Sequence, residues 1–274
     1  MRRGPKPKNT KCLNCDKRAT SRNYCKSCYC KAIRNGTIIK LEPKELPSEL
    51  TQIQKEVLVG SLLGDGCLFK YKVTHKPHLI IVRKIADKTY AQWEIEILKD
   101  FICRIREGQT YDNRTHKTYQ WIKFVTHRST TFEPYYKDWY PKGIKVVPKS
   151  IELTPLVLAV WFCDDGNIRP SCSPWRMRLT FGTDGFTKQD AKRLALILNK
   201  RYNAFFSTNY YDGKPRITTC DNGTRKFIAE IDNHLPAGME RKAYWRKPEA
   251  RFYSDVPPLS SGWAKNKWSD FDET

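Results

Sequence analysis

The sequence predicts an α+β fold in which an αββαββα arrangement occurs twice, as a pseudo-two-fold duplication with two antiparallel sheets, behind a small cysteine-rich N-terminal module. Three observations predict it. An apolar run ending in acid and glycine occurs as QKEVLVGSLLGDG at Gln54–Gly66 and again as PLVLAVWFCDDG at Pro155–Gly166, with Asp65 and Asp165 one hundred residues apart. Each copy is followed by two strand-like runs, an amphipathic helical run, two further strand-like runs and a short helix, the signature of an internal repeat. Two Cys-x-x-Cys pairs precede both copies.

The 274 residues suffice for one large domain or two small ones, and their +21 formal charge, with 50 Lys and Arg against 29 Asp and Glu, points to a polyanionic partner. The first fifty residues carry 13 Lys or Arg and 4 Asp or Glu and begin with RRGPKPK, which reads either as a solvated tail or as a nucleic-acid backbone contact. No run approaches a membrane span and no apolar secretory core opens the chain, so a cytoplasmic protein without membrane association is expected. In that compartment ten cysteines argue against disulfides. Cys12, Cys15, Cys25 and Cys28 have the spacing of two zinc knuckles in a segment too polar to form its own core, so a structural Zn²⁺ is expected to supply its folding energy. Cys30 is an alternative to Cys28, and ordinary reduced thiols are the alternative to a metal site. The module is placed at 1–40, and a spacer at 41–51 follows, where LEPKELPSEL contains two prolines and alternating charge.

The first half is assigned to 52–150. After its motif helix come strands at CLFKYKV and HLIIVRKI, and then a helix over KTYAQWEIEILKDFICRI, residues 88–105, on which Trp93, Ile97, Phe101 and Ile105 recur at helical spacing. Strands GQTYDNR and TYQWIKFV and a short helix at STTFEPYYKDWY complete it. The second half is assigned to 151–245, with strands NIRPS, WRMRLTFG, AFFSTNYY and KPRITTC; the last two are joined by Asp212-Gly213, a strong hairpin signal. Its long helix starts at Thr187, with Asp190 three residues on in the manner of a capping box. In WRMRLTF, Arg176, Arg178 and Thr180 alternate with Met177, Leu179 and Phe181, so one face packs and the other presents cations. A basic and aromatic tail ending in acid occupies 246–274.

If the halves pack through their motif helices, the small pairs Gly60 with Gly64 or Ala159 with Cys163 permit close approach, which brings Asp65 and Asp165 to one end of the helix pair. Two carboxylates so placed repel unless a cation lies between them, and hard oxygen ligands select Mg²⁺, with Mn²⁺ able to substitute. Such a centre suits phosphodiester cleavage, in which the ion activates water and stabilises the leaving oxygen. Asp164 is read as a cap or turn residue in preference to a side-chain ligand.

LVGSLLGDG and LAVWFCDDG resemble the motifs of the LAGLIDADG homing endonucleases, of the single-chain two-motif type, and the resemblance extends over about residues 50–245. It implies the duplicated homing-endonuclease fold, whose two sheets form a DNA-binding saddle. It also implies metal binding by Asp65 and Asp165, with the backbone carbonyls of Gly64 and Asp164 contributing. A lysine near the end of each half is implied as catalytic: GIKVVP supplies Lys145, and HLPAGMERKAYW supplies Lys242, although Arg241 stands where the family more often has an aromatic. Gly64 replaces a frequent alanine and Leu63 an acid, and neither change removes the metal-binding acid. The cysteine module is an addition to the family pattern.

Arg176, Arg178, Thr180, Asn209, Arg216 and Thr218 are the candidate DNA-facing strand residues, either reading bases or contacting phosphate and solvent. The five scattered histidines lack the constellation of a His-based nuclease. The implied activity is therefore Mg²⁺-dependent double-strand cleavage by a monomer across the minor groove of a long asymmetric site. It would leave short 3′ overhangs and promote mobility of an intron or gene. The alternatives are an RNA maturase that binds intron RNA, and a DNA-binding regulator on the same fold.

Overall fold

The computed structural model describes residues 11–19, 24–35, 45–170 and 177–246, in two compact units, Met1–Glu45 and Leu46–Thr274. The first holds a short antiparallel pair, β1 (Lys11–Cys12) and β2 (Cys15–Arg18), and a helix α1 (Lys26–Arg34). Its buried side chains include Cys12, Cys25 and Ala32, so sulfur occupies the place where a larger unit would have an apolar core.

The second unit contains the αββαββα order twice among the described residues. Its first copy comprises α2 (Gln52–Leu63), β3 (Cys67–Phe69), β4 (His78–Lys84), α3 (Lys88–Ile97), β5 (Ile102–Asp112), β6 (Lys117–Thr126) and α4 (Glu133–Trp139). The other comprises α5 (Pro155–Asp165), β7 (Gly166–Pro170), β8 (Met177–Gly182), α6 (Lys188–Tyr202), β9 (Ser207–Tyr211), β10 (Lys214–Cys220) and α7 (Asn222–Ile231). Both sheets are antiparallel with equivalent orders, β3-β4-β6-β5 and β7-β8-β10-β9. Cys67 pairs with Ile80 and Asn167 with Thr180, so the hundred-residue offset persists into the strand register.

Local sequence explains the motif helices. Thr51 caps α2 by accepting from the Gln54 N–H, while the Gln54 side chain accepts from the Thr51 N–H at 3.0 Å, a reciprocal box that satisfies two otherwise unpaired donors. Thr154 caps α5, and Pro155 starts it where no N–H is needed. Residues Val157 to Cys163 of α5 are all buried, as expected of a helix apolar on every side. Trp161 stacks on Phe181 with centroids 4.0 Å apart, fixing this helix to the inner face of its sheet.

The seam between α2 and α5 has little room. A Cβ on Gly60 would lie 2.6 Å from Val160 Cβ and 2.9 Å from the Val157 carbonyl oxygen; one on Gly64 would lie 2.3 Å from Asp164 Cβ. Cys163 packs with Tyr90 and Met239, so the close partners of the glycine pair are Val157, Val160 and Asp164, a correction to the expected Ala159 and Cys163 face. Gly60→Ala should destabilise the fold by about 3 kcal/mol, the cost of overpacking a rigid seam. Gly185→Ala should change little, because its Cβ would meet nothing within 4 Å. Urea unfolding of both variants checks this, and equal stabilities would contradict the tight seam.

Other expected elements are corrected as well. Helix α3 stops at Ile97, Phe101 is buried, and Ile105 lies exposed within β5. A spacing of four is also twice the strand period, so Ile105 was compatible with either element and the β5–β6 ladder decided for strand, while Phe101 lies in the turn just before β5. Strand β3 is shorter than CLFKYKV, with Tyr71 and Val73 exposed beyond its end. Strand β5 begins earlier than GQTYDNR, so the first hairpin is long. Asp212 and Gly213 have φ of 51° and 73° between the paired Tyr211 and Lys214, as the hairpin signal requires.

Candidate functional site

Because Gly64 and Asp164 meet at the closest approach of α2 and α5, the residues that follow, Asp65 and Asp165, emerge at one end of the helix pair. Burial first, and then the charge of Asp65, raises the Asp165 carboxyl to about 6, against the pull of Lys242 and Lys145. The Asp165 carboxylate makes no hydrogen bond or ion pair among the described residues. Asp65 is half exposed, and its Oδ2 accepts from Arg83 Nη1 at 2.8 Å.

The two lysines occupy equivalent places. Lys145 Nζ donates to the carbonyl oxygens of Gly64 at 3.1 Å and Gly66 at 2.9 Å. Lys242 Nζ donates to those of Phe162, Asp164 and Gly166, at 3.1, 3.2 and 2.9 Å. Each ammonium thus caps the C-terminal end of a motif helix, satisfying carbonyls that have no helical partner and meeting the negative end of the helix dipole. Burial holds both ammonium groups below their usual range. The Gly64 and Asp164 carbonyls, expected to face a metal, accept from lysine here. Arg241, in place of an aromatic, forms a two-point ion pair with Asp87 at 2.7 and 2.8 Å, which holds Lys242 beside the first half.

Asp164 is neither cap nor turn residue. Its fully buried carboxylate receives Arg83 Nη2 at 2.8 Å, the Tyr90 hydroxyl at 2.9 Å and the Asp65 N–H at 3.1 Å. The same guanidinium reaches Glu94 through Nε at 3.0 Å and Nη2 at 2.7 Å. Burial raises the Asp164 carboxyl to about 7, and the Arg83 charge opposes that rise. Sequence reasoning missed Arg83, Glu94 and Tyr90. One signal was present: Leu79, Ile81 and Arg83 share the inward parity of β4, so a guanidinium at the third position demanded buried acids.

The candidate DNA-facing residues of the second half share one face. Thr180 pairs with Thr218 and Asn167, Arg178 with Cys220, and Arg216 with Asn209. Met177, Leu179 and Phe181 are buried on the opposite face, so the alternation holds where it is described. Asn209 Nδ2 donates to Thr218 Oγ1 at 2.6 Å, and the Arg216 guanidinium stacks on the Tyr211 ring at 4.8 Å. Arg176 lies outside the described residues. A polar cleft beside Asp165 is lined by Asn167, Arg169, Thr180, Asp184 and Arg216. The corresponding face of the first sheet, also missed, aligns Lys84, Trp121, Lys123, Arg104 and Arg106, with Trp121 lying over Gly108.

In the N-terminal unit the sulfurs of Cys12, Cys15, Cys25 and Cys28 all lie within 4.8 Å of one another. Cys15 and Cys25 are 3.6 Å apart and Cys28 and Cys15 3.7 Å, close to the roughly 3.8 Å edge of a tetrahedron with 2.3 Å zinc–sulfur bonds. The Asn14 and Cys28 N–H groups donate to Cys12 and Cys25 sulfur at 3.5 Å, so the backbone favours thiolates. Cys12 falls to about 6: burial opposes the change, while N–H donation and the neighbouring thiols favour it. Hydrogen bonding with Cys25 and Cys15 pushes Cys28 up to about 12. Exposed Cys30 lies outside the cluster.

Among the described residues no helix is long and apolar enough to cross a membrane. The LAGLIDADG DNA endonuclease family model matches residues 55–227. Cytochrome b mRNA maturase bI2 of Saccharomyces cerevisiae is 30% identical over 158 residues, 54% of this chain and 36% of the maturase, so the chain spans about a third of that relative. "Probable intron-encoded endonuclease 1" of Wickerhamomyces canadensis is 27% identical over 217 residues, covering 76% of this chain and 90% of that protein. The homing endonuclease I-WcaI, solved bound to its DNA recognition sequence, superposes with a TM-score of 0.64 at 22% identity, over 71% of this chain and 87% of its own, which shows the shared fold.

Proposed function

Because the chain belongs to the LAGLIDADG DNA endonuclease family, we propose that it cuts both strands of DNA at a long asymmetric site, with Mg²⁺ or Mn²⁺, leaving short 3′ overhangs. Acting as a monomer that carries both motifs, it would promote mobility of its own intron or gene. One observation carries this reading: two acids emerge together from a tightly packed helix pair, each beside a buried lysine held at the helix end. The donor set fits a divalent cation, since burial and mutual repulsion raise Asp165 and a cation would relieve both.

Asp65 and Asp165 would hold the ion, which activates water and stabilises the leaving oxygen when bound. Lys145 and Lys242 keep positive charge beside the scissile phosphates, where buried cations act in a weakly screened environment. Arg178 and Arg216 on one sheet, with Lys84 and Lys123 on the other, supply phosphate and base contacts flanking the cut. The minor groove is only about 6 Å wide, which suits two adjacent acids in one compact site, each serving one of the facing strands. Zn²⁺ held by Cys12, Cys15, Cys25 and Cys28 would order the N-terminal unit.

A second reading, an RNA maturase on the same basic surfaces, is favoured by the similarity to the yeast maturase. Incubating the protein with Mg²⁺ and a randomised DNA library, then sequencing the ends, separates the two. Discrete staggered ends are expected. Tight, salt-sensitive binding of intron RNA without any DNA cleavage would favour the maturase.

A further inference from the structure

We infer that Arg83 is a positioning residue that holds the carboxylate of Asp65 and makes the two cleavage centres unequal, an inference that rests on the endonuclease reading above. Arg83 is 4% exposed, and all three nitrogens of its guanidinium are engaged: Nη1 with Asp65 at 2.8 Å, Nε with Glu94 at 3.0 Å, and Nη2 with both Glu94 and Asp164. Because the planar fork is itself locked by two further acids, it holds Oδ2 of the half-exposed Asp65 side chain in one place. Arg83 and Glu94 come from the first half and Asp164 from the second, so the fork also ties the acid to the seam between the halves.

Among the described residues the second half has no counterpart. At the hundred-residue offset Arg83 corresponds to Thr183, whose hydroxyl donates to the Pro215 carbonyl at 2.7 Å. Glu94 corresponds to Leu194 in the core, Tyr90 to Asp190 beside the α6 cap, and Asp164 to Gly64. Asp165 therefore keeps no fixed donor among the described residues, whereas Asp65 is anchored. A buried ionic cluster built once in a duplicated fold breaks its symmetry at the acid that it touches. The strand served by the first centre depends on Arg83; the strand served by the second does not.

Arg83→Lys keeps the charge, but one ammonium cannot bridge three carboxylates in this geometry. With a supercoiled plasmid carrying the cleavage site, the variant should accumulate nicked circles, always broken on the same strand, with the two strand rates separated at least tenfold. Equal slowing of both strands, or nicks distributed between them, would overturn the inference while leaving the endonuclease reading intact. A wild-type protein that cuts neither strand would remove both. Metal-free melting gives an independent readout: Asp65→Asn should shift the midpoint in the wild-type background and not in Arg83→Lys, and additive shifts would count against the anchor. If Arg83→Lys does not fold, Glu94→Gln loosens the same fork at the same volume and should give the same one-strand bias.

Discussion

Replacing Asp165 by Asn is expected to reduce double-strand cleavage by at least about a thousandfold, and at the same time to stabilise the metal-free protein at neutral pH. The first effect follows from its place beside Asp65 at the end of the helix pair. The second follows from its environment, because burial and the Asp65 charge raise its carboxyl from an ordinary 3.8 to about 6 with no hydrogen bond to compensate among the described residues. The native state therefore binds this proton more tightly than the unfolded chain does. Stability from that proton is fully present below about pH 4 and is lost as pH rises through about 6. Asn carries no charge to lose, so the variant should gain on wild type across that window and then hold a constant advantage on the order of 2–3 kcal/mol.

Asp65→Asn should also abolish double-strand cleavage but lower stability slightly. It removes the half-exposed partner of Arg83, which keeps Glu94 and Asp164. DNA affinity should change only a few-fold in either variant, since the phosphate contacts proposed for the sheets would be untouched. Cleavage assays, filter binding and melting curves between pH 4 and 8 check all of this. If Asp165→Asn were less stable than wild type at pH 7.5, the proposed strain at that acid would be wrong. If either variant still cut at the wild-type rate, its acid would not hold the metal.

The other large effect concerns the N-terminal unit. Purified protein should contain close to one zinc per chain, and none after Cys12→Ser with Cys25→Ser. Cys30→Ser should retain it, because that sulfur lies outside the four-sulfur cluster. Loss of zinc should expose the unit to proteolysis, since little apolar surface is buried there and metal binding is then its folding energy. Elemental analysis and limited digestion measure both outcomes. Wild-type protein lacking zinc at full occupancy of thiols would refute the metal site.

Much of this architecture was legible in the chain. The duplicated acid-glycine helix ends, the strand alternation of MRLTF, the Asp212-Gly213 hairpin and the Cys-x-x-Cys pairs are local patterns, each governed by a period or a spacing of a few residues. Where two periods coincided, as at Ile105, the local pattern was ambiguous and long-range pairing with β6 settled it. The position of Arg83 on the inward parity of β4 was a local anomaly whose resolution was not local.

By itself, the sequence determined that there are two halves, that each ends its first helix in an acid, and which sheet face is polar, because these depend on neighbours along the chain. Only the tertiary structure decided that Asp164 is an interior acid, that Lys145 and Lys242 cap the motif helices, and that Asp65 has a fixed partner where Asp165 has none among the described residues. Each of those contacts joins residues far apart in the chain, except for the 18-residue span between Asp65 and Arg83 that turns back through β3 and β4. A buried charge selects its partners by proximity in the packed core, and the close approach at Gly60 and Gly64 creates that proximity.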